Sequence, residues 1–283
     1  MASRARQGTE ALPEHLAERI AEQQRIAQAN GEIILEDPTV ALGALTRQRP
    51  TFTRQELVQY LRARTQNETQ FDAVLTAVSQ SSELVALSLE RFTSRDMIEA
   101  EKSLVRRAVS MANRRGHGVA LDRQNVISAQ CLLSDAARQA FSCLVSEGDA
   151  KALAVTSGVK AAILAAAAQA WSGQGLAVRG VAPSRRAARS LQAVAGVRSQ
   201  SLAACEEEWQ SGAEMSRDTV LLLDGAEVLG LKQFERFLAA VDRARAKAVL
   251  VGDFDQLYAA RGESPFRDLM RHIPDSVEVS HDR

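Results

Sequence analysis

The chain has 283 residues, 46% hydrophobic and 25% charged, enough for two compact units or for one with a substantial extension. Its 35 basic and 35 acidic side chains cancel, so a nucleic-acid surface needs local clustering of charge. Cys131, Cys143 and Cys205 lack C-x-x-C spacing and His15, His117, His272 and His281 are scattered, which argues against disulfides and metal sites.

No apolar run reaches transmembrane length and the N-terminus lacks signal-peptide order, so a cytoplasmic protein is expected. Residues 1–30 are polar and helix-favouring. Leu16, Ile20 and Ile26 follow Pro13 with a weak helical period, as in a linker or docking helix. Residues 31–128 read as a mainly helical module. Thr53 followed by Glu56 is a capping-box start, after which Leu57, Tyr60 and Leu61 share one face. A second helix runs through Phe71, Val74, Leu75 and Val78, and 84–89 has the character of a strand. The run beginning at Arg91 predicts one long helix to about Asn113. Short helices with a hairpin suggest a winged-helix-like fold; a general packing module is the other reading.

From 129 to 283 the rhythm changes. Helix is predicted over 134–141, 161–171, 184–194 and 231–243, with apolar strands at 151–155, 176–181, 220–223 and 247–252. Apolar strands alternating with helices predict an α/β fold with a parallel sheet covered on both faces. Functional groups in such sheets gather at the carboxyl ends of the strands. Lys160, Ser184, Asp224 and Asp253 all follow strand ends and are expected to converge on one edge.

Residues 154–161 read Ala-Val-Thr-Ser-Gly-Val-Lys-Ala where a phosphate-binding loop would read G-x-x-x-x-G-K-[ST]. Lys160 keeps the lysine position, but Ala154 and Val159 replace the loop glycines and Ala161 the magnesium-binding hydroxyl. Glycine lets backbone N–H groups approach the phosphates, and metal supplies much of the charge stabilisation in phosphoryl transfer. Val220-Leu-Leu-Leu-Asp224 has the form of a Walker-B strand, yet the next residue, commonly a water-polarising acid, is Gly225. These departures together predict no ATP hydrolysis and no bound cofactor.

In order, these segments resemble the first RecA-like lobe of a RecD-like superfamily 1 helicase, and more closely the conjugative relaxase–helicases of the TraI/TraA type. Three further segments carry the resemblance: 180–191 is similar to motif Ia, 199–202 to motif Ib, and 249–257 to motif III through Gly252, Asp253 and Gln256. Blocks at 51–54 and 114–118 match what precedes that lobe in TraA-like proteins, so the resemblance spans roughly 30–280. It implies that Ala137 stands where active relatives carry an adenine-reading glutamine, and that Ser184, Arg185, Arg186, Arg189 and Ser201 lie in segments that touch single-stranded DNA. TraI-type proteins hold one active and one vestigial helicase-like section, and 224–233 resembles the vestigial one. That section binds single-stranded DNA and carries a signal read by the type IV secretion coupling machinery. The chain is then expected to be part of a longer relaxase polypeptide, which is a further partner.

Each residue also has a plainer reading. Arg185, Arg186 and Arg189 are either phosphate contacts or a solvated helix face, Lys160 a surface lysine, Asp224 a strand-end cap, and Gln256 a polar packing residue. The basic stretch Lys102, Arg106, Arg107, Arg114, Arg115 and Arg123 either tracks a nucleic-acid backbone or pairs with acids. Aromatics are 4% of the chain, so DNA affinity would rest on phosphates more than on stacking. DNA nicking, which needs a histidine metal cluster beside a tyrosine, is not expected. The reading reached is a non-catalytic, DNA-holding and secretion-signal module. Two others stand beside it: an ATPase lobe with an unorthodox loop using ATP and magnesium, and a protein-docking domain without DNA affinity.

Overall fold

The computed structural model describes residues 14–47, 49–213, 215–259 and 264–280, and divides into two units, Met1–Glu99 and Ala100–Arg283. The first unit runs α1 (Glu14–Glu36), α2 (Thr39–Leu45), β1 (Phe52–Thr53), α3 (Arg54–Arg62), α4 (Glu68–Gln80), β2 (Leu84–Ala86) and β3 (Arg91–Ser94). Thr53 closes a capping box at the start of α3: its hydroxyl accepts from Glu56 N at 3.2 Å, and its N–H donates to the Glu56 carboxylate at 2.7 Å. Such a box satisfies two of the amide donors that every helix start leaves open. Asn67 caps α4 by accepting from Gln70 N at 2.9 Å. The helices bury Leu42, Leu57, Leu61, Phe71, Val74 and Val78 against Phe52 of a small antiparallel sheet ordered β1-β3-β2. Helices on a three-stranded sheet of this kind are winged-helix-like.

The helix expected from Arg91 starts later. Arg91–Ser94 is the central strand of that sheet, paired with β1 through Phe52↔Phe92 and with β2 through Val85↔Thr93. Its backbone is committed on both sides, and Ser94 then caps the helix by accepting from Met97 N at 3.2 Å. Helix α5 (Arg95–Ala112) carries the chain into the second unit.

The second unit continues with α6 (Leu121–Gln130), α7 (Asp135–Val145), β4 (Ala150–Val155), α8 (Ser157–Ser172), β5 (Ala177–Ala182), α9 (Arg185–Ala195), β6 (Ser199–Ser201) and α10 (Leu202–Gln210). It ends with β7 (Thr219–Asp224), a 3-10 turn (Ala226–Val228), α11 (Leu231–Arg243), β8 (Lys247–Asp253), α12 (Phe254–Ala259), α13 (Pro265–His272) and β9 (Val277–Val279). The boundary expected at residue 128 falls inside this unit, within α6.

Its six strands lie parallel in the order β6-β5-β7-β8-β4-β9. This is the RecA-like parallel sheet with helices that the sequence predicts. Strand side chains alternate between faces. Leu153, Val155, Leu222, Val249 and Val251 pack in one cluster with α7 and α8, where Ala166, Ala167 and Ala170 let that helix approach closely. The opposite face meets α11 and α13, whose Phe234 and Phe266 rings stack at 6.5 Å. Gly180 permits the close packing of β5, β6 and α9, since a Cβ there would lie 2.0 Å from Ser199 Oγ and 2.8 Å from Leu191 Cδ2.

Candidate functional site

The carboxyl ends of β4, β7 and β8 bring three of the four residues expected on this edge, Lys160, Asp224 and Asp253, into one network, while Ser184 follows β5 and caps α9. Lys160 is not a free surface lysine. Its Nζ donates to both Asp224 oxygens, at 2.9 and 3.2 Å, with the lysine side chain 20% and the aspartate 13% exposed. Asp224 is therefore an ion-pair partner more than a strand-end cap. Asp253 is tied in three ways: one oxygen accepts from Ser157 Oγ at 3.2 Å, the other from Gln256 N at 3.0 Å, and its own N–H donates to Glu227 at 3.0 Å. The Gln256 side chain is exposed.

Between β4 and α8 there is no loop to speak of. Strand β4 ends at Val155, Thr156 is the N-cap, and the helix begins at Ser157. The N–H groups of Val159 and Lys160 both donate to the Thr156 carbonyl at 3.3 Å. Amides that would encircle a phosphate are thus turned into the helix. Thr156 N donates to Val279 O at 3.1 Å, while its buried hydroxyl has no partner among the described residues. Ala161 offers no oxygen ligand. Gly225 has φ +81°, in the left-handed region that side chains avoid, and a Cβ on it would stand 3.0 Å from Pro183. An acid at that position would be strained in this backbone.

Sequence reasoning missed Glu227. It sits in the 3-10 turn beside Asp224 and Asp253, and burial pushes its carboxyl above the ordinary range, with those two acids adding to the rise. Its spacing of three from Asp224 was the available signal. Ala137 is buried in α7, its N–H accepted by the Ser134 cap at 3.3 Å, and presents nothing to a base.

A profile of the AAA domain matches residues 133–282, more than half of the chain and the whole of this sheet. The chain belongs to the AAA domain family. Over 273 residues it is 28% identical to conjugal transfer protein TraA of Rhizobium radiobacter. Over 274 residues it is 27% identical to the probable conjugal transfer protein TraA of Sinorhizobium fredii and 26% identical to TraA of Agrobacterium fabrum. Each alignment covers 90% of this chain and 25% of the relative, so the chain spans about a quarter of the length of the curated relatives it matches.

In this AAA domain, Ser184 caps α9 by accepting from Ala187 N at 3.2 Å, which places Arg185, Arg186 and Arg189 on its first turns. All three are exposed and none has a partner among the described residues. Ser201 is buried and caps α10 through Ala204 N at 3.3 Å, so its hydroxyl is already engaged. The basic stretch behaves differently from the α9 arginines. Arg107 pairs with Asp242 at 2.8 Å, and Arg114 hydrogen-bonds Asp242 and forms a longer ion pair, at 3.6 Å, with Asp149. Arg106 and Arg115 are exposed.

A second charged cluster lies at the amino ends of the strands. His117 Nδ1 faces Asp149 at 2.7 Å and Nε2 faces Arg217 O at 2.6 Å, two acceptors that only the imidazolium satisfies together. The Asp149 hydrogen bond raises the His117 pKa against the opposing effect of burial. Lys247, fully buried over Trp171, donates to Ser146 O at 2.8 Å. Burial, with Lys151 nearby, lowers its pKa to about 7. Among the described residues no cluster of His, Cys, Asp and Glu could hold a metal, and no helix is long and apolar enough to cross a membrane.

Proposed function

We propose that this chain is a non-catalytic section of a conjugative relaxase–helicase. It holds single-stranded DNA at the α9 end of the sheet and offers a surface to the type IV secretion coupling protein. The observation that carries the reading is the Lys160–Asp224 ion pair beside a helix that starts directly after Thr156. ATP and magnesium do not fit these residues. The lysine is neutralised within the protein, the amides of Val159 and Lys160 are spent on Thr156, and Ala161 brings no hydroxyl. The exposed arginines of α9, without a partner among the described residues, support the DNA half of the reading, since phosphate contacts supply most sequence-independent affinity.

Fluorescence anisotropy of a labelled single strand at two salt concentrations, with and without ATP and magnesium, tests it. Salt-sensitive binding indifferent to nucleotide is expected, with a slope of about −0.7 per neutralised phosphate. A nucleotide-dependent change overturns the non-catalytic reading, and absence of binding at low salt leaves protein docking in its place. One observation favours the ATPase reading: Glu227 is a half-buried acid with a raised pKa, two positions from Gly225, where an acid is missing. Under it, Glu227→Gln abolishes a measurable ATPase; under the non-catalytic reading there is no ATPase to abolish.

A further inference from the structure

A cavity of about 250 Å³ lies away from the Lys160–Asp224 pair, between β5, β6, β7 and α10, where Gly180, Val181 and Gln200 of the motif Ia- and Ib-like segments form part of its lining. Gly180 faces Leu191 of α9, so strand alternation turns its neighbours Arg179 and Val181 to the opposite face, the one α10 covers. There Arg179 and Arg198 line the cavity together with Gln200 and Glu208. Trp209, Met215 and Leu221 supply its apolar wall. Trp209 is half-buried, packing at 6.3 Å and 47° on Phe237.

The charges of this lining do not neutralise one another. Arg179 and Arg198 are exposed and have no ion-pair partner among the described residues, although they share the cavity with Glu208. Glu208 is instead held by Gln200, whose Nε2 donates to its Oε2 at 2.9 Å and also to Cys205 Sγ at 3.2 Å. That fixes the carboxylate and leaves its second oxygen without a partner among the described residues. An ionised carboxylate only accepts hydrogen bonds. The cavity thus offers an anchored acceptor, an aromatic and thioether wall suited to a flat ring, and two guanidinium groups suited to an anion. Its volume falls below the range of about 300–1,000 Å³ that takes drug-sized ligands, so it holds one ring system with the anionic group at the mouth.

We propose that this cavity binds a guanine base carrying a phosphate. Guanine alone among the common bases presents two adjacent N–H donors on its pairing edge, which a carboxylate accepts as a pair. Adenine sets a ring acceptor against Glu208, and uracil or thymine flanks one donor with two carbonyls. The phosphate lies on Arg179 and Arg198. The same chemistry comes from a free nucleotide or from an unpaired guanosine in a strand.

Tryptophan emission of the whole chain reports the event, because Trp171 is fully buried and Trp209 lines the cavity. Titration with GMP is expected to quench it saturably, with AMP and UMP at least about tenfold weaker, as expected when a polar site leaves buried groups unpaired. Glu208→Gln lowers GMP affinity by a similar factor and leaves AMP little changed; Arg179→Glu with Arg198→Glu removes the preference for GMP over guanosine. Trp209→Leu, which keeps an apolar side chain there, is followed by calorimetry and weakens GMP about fivefold or more. Circular dichroism checks that each variant is folded. A thymidine oligomer ending in one guanosine phosphate that competes with GMP identifies a strand as the source; failure to compete identifies the free nucleotide, and both uphold the site. No saturable response at millimolar GMP, equal binding of GMP and AMP, or tighter binding of a short acidic peptide overturns the proposal. The α9 arginines lie outside the cavity lining, so this test fails or succeeds separately from the DNA-holding reading.

Discussion

The two ends of the parallel sheet are both rich in charge, yet they use it in opposite ways. At the carboxyl end Lys160, Asp224, Asp253 and Glu227 sit where a nucleotide site is built in such folds, and they satisfy one another. At the amino end Arg107, Arg114, His117, Asp149, Asp242 and Lys247 cross-link α5 and the loops to β8 and α11. The first set resembles a binding site turned inward, the second a structural network. A charged strand end is therefore not by itself a site. What separates a site from a brace is whether the groups are left with valence to spare.

Stability should suffer most at the amino end. Asp242 holds Arg107 and Arg114; burial alone would raise its pKa, but the two guanidinium groups outweigh that and lower it. Asp242→Ala leaves Arg107 without a partner among the described residues and Arg114 with only its 3.6 Å pairing to Asp149. Removing one partner of a fully buried pair costs about 3–5 kcal/mol, and with side chains here 20–31% exposed a loss of about 2–3 kcal/mol is expected in urea unfolding. A loss below about 0.5 kcal/mol would mean that this network is ornamental.

Two groups of the same cluster give stability opposite dependences on pH. Lys247 has a folded pKa of about 7 against 10.5 for a free lysine, so the unfolded chain binds the extra proton between those values. Stability therefore rises with pH across that window, by about 1.4 kcal/mol per unit at most. His117 runs the other way: its folded pKa is raised, so its contribution is complete below the ordinary histidine value and is lost as pH climbs through the folded one. Lys247→Met is expected to flatten the alkaline rise and expose the histidine's fall, measured as urea midpoints from pH 6 to about 10. A rise of unchanged slope in that variant would remove Lys247 as its source.

The carboxyl end supplies the middle case. Lys160→Ala leaves Asp224 without its partner at a partly open edge, and a loss of about 1–2 kcal/mol is expected. Nucleotide binding should be unchanged. If the variant instead loses a measurable ATP affinity, the contrast between the two ends collapses, because Lys160 would then have been meeting phosphate.

Much of this was legible in the residues. Central parallel strands are buried on both faces, so β4, β7 and β8 read as continuous apolar runs and stood out. The short edge strand β6, Ser-Gln-Ser, has no such run and passed for loop. The β3 strand was hidden by the strong helix directly after it. At the site, residue types revealed which positions had departed from a phosphate loop, but not what replaced the ligands. That Lys160 reaches Asp224, 64 positions away, depends on the sheet order placing β7 and β4 on either side of β8. Glu227 escaped because its role comes from a 3-10 turn that aims it at the Asp253 amide, a local geometry without a periodic signature.

Stability should change least at the residues that matter most for the proposed function. Reversing Arg185, Arg186 and Arg189 to glutamate touches exposed side chains with no partner among the described residues, so unfolding should shift by no more than about 0.5 kcal/mol. Negative charge at a helix start is even mildly favourable. Single-strand binding should nevertheless fall, and the slope of log affinity against log salt should shrink by about 0.7 for each phosphate that is no longer neutralised. The pairing of no stability change with a smaller slope is what distinguishes a surface kept for a ligand from one kept for folding. An unchanged slope would return these arginines to an ordinary solvated face, and the DNA-holding half of the proposed function would lose its support.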